Sequence, residues 1–283
     1  MNDDIKHSRL TYNCDAGEAS VNVRTGRMIF THPDLSIGKG SFNIGISHVY
    51  NPAAQCPPGV YPSMGSGWKL NVQQYIIAND YNTFTYVDGA GYSHTFEYLK
   101  TTGSVQNFYD KTGLNLSLTV PGAGCPYTIK DSIGNQMNFN GDGQLIGTVA
   151  AYNNGIKKNY IYKNGKLRWI YDSRNGGQDG EQGTGRCITL NYSQTNGLLA
   201  SIQYTTDENV NLTIYYEICG YSNRRYTVCS QFDRHNAQRQ RGNRTGRVFP
   251  VQLEYIGRNR LSRFGQGSRR QGLFRAGDGI YRF

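Results

Sequence analysis

The sequence predicts an all-β protein in which tandem, tyrosine-rich repeats joined by tight turns form an extended, curved antiparallel sheet. Three observations carry the prediction. A turn pattern recurs as Asp142-Gly143-Gln144-Leu145, Asn164-Gly165-Lys166-Leu167 and Asn196-Gly197-Leu198-Leu199, with alternating, aromatic-containing runs on either side. Its glycines lie 22 and then 32 residues apart, and a Gly/Gln-rich insertion around residues 176–185 accounts for the longer interval. A unit of about 22 residues holds two strands and two turns, so it must stack on its neighbours to bury an apolar face. The composition agrees: 35 Gly, 22 Tyr and only 18% charged residues favour strands broken by turns. Sustained 3.6-residue amphipathic periodicity is missing throughout.

Taken in order, residues 1–19 read as a flexible leader. Residues 20–107 then form an opening region. It begins with Val21-Asn22-Val23, a turn at Thr25-Gly26, and Arg27-Met28-Ile29-Phe30. Pro33-Asp34 interrupts the pattern before Leu35-Ser36-Ile37, a Gly38-Lys39-Gly40 turn and the alternating run Phe42 to Tyr50, giving two expected hairpins. A Pro/Gly loop follows, and Gly67-Trp68-Lys69-Leu70 restarts the sheet. Asp88-Gly89-Ala90-Gly91 lies between the strands Thr83–Val87 and Tyr92–Phe96, where Asp-Gly marks a hairpin because the turn wants positive φ. Residues 108–230 carry the repeats, including the Tyr-Asp pairs Tyr109-Asp110 and Tyr171-Asp172. Residues 231–283 form an Arg-rich tail.

The charge is unevenly placed. Of 30 basic and 20 acidic residues, the tail holds 12 arginines and three acids, so the net charge of +10 belongs almost entirely to it. Its arginines and aromatic residues could track and stack on nucleic acid. The reading preferred here is a disordered or degenerate appendage, because the regular pattern fades where this composition starts. The apolar runs are too short to cross a bilayer, and the first residues lack the charged start and apolar core of a secretory signal.

Candidate chemistry is sparse. The carboxylates Asp88, Asp110, Asp131, Asp142 and Asp172 each lie one to four residues before a glycine, which favours turn chemistry over the paired acids of a glycosidase. Ser47-His48 and Ser93-His94 are strand neighbours on opposite faces and cannot act on one another. The histidines show no metal-ligand spacing, and His48 and His94 are expected to be hydrogen-bonded inside the sheet rather than ligands. Cys14, Cys56, Cys125, Cys187, Cys219 and Cys229 contain no Cys-x-x-Cys pair, so zinc is not expected and buried, inert thiols are preferred over disulfides. No catalytic, cofactor-binding or metal-binding residue is assigned, and no enzyme activity is expected.

The Tyr-Asp and Asp/Asn-Gly-x-Leu repeats, preceded by Val21-Asn22-Val23-Arg24-Thr25-Gly26, Asp34-Leu35-Ser36-Ile37, Val49-Tyr50-Asn51 and Gly65-Ser66-Gly67-Trp68-Lys69-Leu70-Asn71, resemble the RHS, or YD-repeat, proteins over residues 20–230. The resemblance implies a β-repeat segment of a hollow shell, acting as scaffold or container wall for a bacterial polymorphic toxin or cell-surface protein. The implied partners are the remainder of the shell and a C-terminal toxin or effector domain, and the implied location is secreted or cell-surface. Four or five repeat units are visible and no Asp-Pro motif is present, so the chain is expected to be the first part of such a shell. The alternative is a surface module whose aromatic β-face binds glycan.

Overall fold

The computed structural model describes residues 9–14, 17–23, 25–39, 42–60, 63–122, 124–152, 157–172, 187–205, 211–218, 226–233, 250–256, 273–276 and 279–282. They form strands and turns with no helix, as the composition and the period-two text predict.

Five strands make the first sheet, in the order β1-β2-β3-β4-β5: β1 (Arg9–Cys14), β2 (Gly17–Asn22), β3 (Met28–Lys39), β4 (Phe42–Tyr50) and β5 (Trp68–Leu70). Residues 9–14, inside the expected flexible leader, pair with β2 from Arg9↔Asn22 to Cys14↔Gly17. The break expected at Pro33-Asp34 is instead a bulge within one long strand: the β3–β4 register shifts between Pro33 and Leu35. Proline, which has no N–H to give to a ladder, is confined within sheets to edges and bulges, and here the bulge leaves its neighbour Asp34 without a cross-strand partner.

The second sheet is a curved antiparallel meander. It begins with β6 (Tyr75–Ala78), β7 (Thr83–Val87), β8 (Ser93–Thr102), β9 (Val105–Asp110), β10 (Ser117–Val120) and β11 (Tyr127–Lys130). The repeat hairpins are β12 (Gln136–Phe139) with β13 (Leu145–Val149), β14 (Lys157–Lys163) with β15 (Lys166–Asp172), and β16 (Cys187–Tyr192) with β17 (Leu199–Thr205). After β18 (Asn211–Ile218) and β19 (Tyr226–Asp233), three strands fall within the tail: β20 (Pro250–Ile256), β21 (Leu273–Ala276) and β22 (Gly279–Arg282). Residues 234–249, 257–272, 277–278 and 283, and the insertion around 176–185, lie outside the described residues.

The two sheets share one apolar core, in which Phe30, Ile46, Trp68 and Leu70 of the first pack with Phe96, Phe108, Phe139, Ile188 and Ile214 of the second. Aromatic pairs on the inner face meet edge to face, as in Phe84–Phe108 at 4.9 Å. Such pairs add about 0.5–1.5 kcal/mol each beyond their burial.

Candidate functional site: a turn ladder and the junction that caps it

The three recurring turns lie side by side along one edge of the meander. Each repeat hairpin has a bulge just before its turn, at Asn138/Phe139, Ile161/Tyr162 and Asn191/Tyr192. The leucine that ends each motif is buried: Leu145, Leu167 and Leu199 are at most 1% exposed. The residue after the glycine then reaches forward. Gln144 Nε2 donates to the Gly165 carbonyl at 3.1 Å, and Lys166 Nζ donates to the Gly197 carbonyl at 2.6 Å. Each turn is thus fastened to the next by a side chain at an equivalent repeat position.

The opening region runs along this ladder. Ile76 N–H donates to the Gly143 carbonyl at 2.7 Å, Leu145 N–H to the Gln74 carbonyl at 3.2 Å, and Leu199 N–H to the Ser63 carbonyl at 2.6 Å. Gly143 has φ +75°, and a Cβ there would lie 1.9 Å from the Ile76 carbonyl oxygen. Gly143→Ala is therefore expected to cost at least the roughly 1–3 kcal/mol of backbone strain, with hydrogen exchange at Ile76 accelerated as the contact opens.

The sheets are also joined through Asp34, whose side chain is fully buried. The bulge presents Asp34 to His32 and His48, which are cross-strand partners with rings stacked at 4.8 Å. Asp34 lies 3.0 Å from His32 Nδ1 and 2.9 Å from His48 Nδ1, and it accepts a 2.9 Å hydrogen bond from the Tyr216 hydroxyl of β18, 182 residues away. Burial pushes the Asp34 carboxyl up, but the hydrogen bonds and charge of His32 and His48 more than offset it, holding the group below its ordinary value. Burial and the neighbouring carboxylate push Tyr216 well up, so it stays a neutral donor. Among the described residues, His32, Asp34 and His48 are the side chains that could hold a metal ion, with ligand atoms within 4.8 Å of one another. As arranged, both carboxylate oxygens already accept from these partners, which is the geometry of a closed structural junction.

One further group had no clear signal in the sequence. Lys69 is 4% exposed and donates to the carbonyls of Asp88 and Gly89 at 2.6 and 3.0 Å. Burial lowers its pKa to about 8, with Asp88 opposing the shift. The protonated form is thus penalised in the folded state, and stability should rise with pH between about 8 and the ordinary 10.5. Chemical denaturation across that range, with Lys69→Met as the control lacking the rise, checks this. His94 is also buried and meets Asp88 Oδ2 at 2.9 Å.

Three of the turn carboxylates behave as expected, and among them Asp110 accepts from Thr112 and Leu114 N–H. Asp88 Oδ1 accepts from Ala90 and Tyr92 N–H, and Asp131 Oδ1 from Ile133 and Asn135 N–H. In the first repeat turn this role falls to Asn140, not Asp142, since Gln144 N–H donates to Asn140 Oδ1. His48 and His94 are hydrogen-bonded within the sheets. Cys56, Cys125 and Cys187 are free thiols, and burial raises the pKa of Cys56 and Cys187.

A family model described as "Domain of unknown function (DUF6531)" matches residues 18–96, which run from β2 through the rest of the first sheet to the start of β8 in the meander. No curated protein matches the chain.

Proposed function

We propose that the chain is the opening region and first repeats of an RHS-type β-shell, a non-enzymatic wall or scaffold for a bacterial polymorphic toxin or cell-surface module. The observation that carries this reading is the ladder itself. A side chain at one repeat position fastens each turn to the next, so units add along one direction, and the opening region lies along the same edge. A repeat geometry with this propagation suits a wall better than a pocketed enzyme. The match to residues 18–96 falls on the opening region and is compatible with the resemblance without assigning a role.

The proposed partners are further repeats and a C-terminal toxin or effector domain, with a secreted or cell-surface location; these rest on the resemblance. Genomic sequence downstream of the Phe283 codon, read in all three frames, should encode further Tyr-Asp and Gly-x-Leu units. The longer product should scatter X-rays as a hollow particle. A downstream region without such units, or a product that scatters as a solid globule, would sink the proposal.

A further inference from the structure

We propose that a polar cavity at the seam between the two sheets binds one residue of a glycan. The cavity measures about 180 Å³, and its lining includes Ser20, Arg27, Asn51, Gln55, Tyr92 and Ser93. All six fall inside the segment that matches the family model.

The walls are fixed. Asn51 Nδ2 donates to the Ala90 and Gly91 carbonyls while its Oδ1 accepts from Ala53 N–H, which ties the loop after β4 to the turn before β8. Gly91, at φ +80°, packs so closely that an added Cβ would lie 2.9 Å from the Ala54 side chain. Tyr92 is held from one side by the Arg9 guanidinium, 4.0 Å from its ring centroid. Against these walls stand three groups without a side-chain hydrogen-bond partner among the described residues: the hydroxyls of Ser20 and Ser93 and the amide of Gln55, which is exposed.

Two hydroxyls and a primary amide supply donors and acceptors together, with a guanidinium and a phenol beside them. That mixture pairs with the vicinal hydroxyls of a sugar ring, each of which both gives and takes a hydrogen bond. Ligand pockets for drug-sized, mainly apolar molecules run to about 300–1,000 Å³, so this smaller and more polar space suits a single ring. The site differs from the aromatic sheet face considered from sequence, and it stands independently of the wall reading.

The test is saturation-transfer NMR on the full chain with the methyl glycosides of glucose, galactose, mannose and N-acetylglucosamine, followed by titration of any that respond. At least one glycoside is expected to bind, with Ser93→Phe filling the cavity and weakening it more than about ten-fold. Gln55→Ala, in an exposed loop, should weaken binding about three-fold to ten-fold, the loss of one hydrogen bond, without moving the thermal midpoint. Absence of binding by every glycoside, or binding undiminished in both variants, would overturn the proposal.

Discussion

Replacing Asp34 with alanine is expected to cost about 3–5 kcal/mol, because it leaves His32, His48 and the Tyr216 hydroxyl facing a buried space without their acceptor. The loss should appear as a lower denaturant midpoint at neutral pH. The pH dependence has a definite sign. The folded carboxyl is held below its ordinary 3.8, so its stabilisation is complete above that value and disappears as pH falls through the lower folded one. Asp34→Asn should remove that part of the acid dependence. An acid-unfolding curve for Asp34→Asn that overlays the parent chain would contradict the assignment.

An effect of the same size is expected for Trp68→Ala, about 3–5 kcal/mol, since a large buried aromatic is lost and a cavity remains. Trp68 is 2% exposed, and its ring lies 5.1 Å from Tyr50, 5.3 Å from His48 and 6.4 Å from Phe30. Its indole therefore backs the same histidine that holds Asp34. Quencher accessibility of Trp68, read in a Trp169→Phe background, should be low in the folded chain. Free quenching of Trp68, or a Trp68→Ala variant of parental stability, would point to an exposed platform instead.

These positions also mark where the sequence was legible. The Asp88 and Asn164-Gly165 turns were readable because each needs a local chemical feature, a side-chain acceptor or positive φ; Asn164 and Gly165 have φ of 53° and 72°. The leucines of the ladder were readable because burial recurs with the repeat. The Asp34 junction was not. Pro33 reads as a strand break, and register counted back from Lys39↔Phe42 sets Pro33 opposite His48. The bulge shifts pairing by one residue, so that His32 takes that place. Tyr216 comes from a strand that no local pattern connects to β3. Lys69 was equally hidden, since a lysine between Trp68 and Leu70 has the alternation of an exposed position. Only the carbonyls of the Asp88-Gly89 turn, brought across by the fold, make its burial tolerable.

The opening region and the repeats form one structural unit, joined across the sheets. A double-mutant cycle between Asp34→Ala and Tyr216→Phe tests it most directly, because the two residues touch only if β3 docks on β18. Since the Tyr216 hydroxyl donates to a buried carboxylate, a coupling energy of about 1–3 kcal/mol is expected from equilibrium unfolding. Additive effects, within about 0.5 kcal/mol, would mean that the sheets do not meet there.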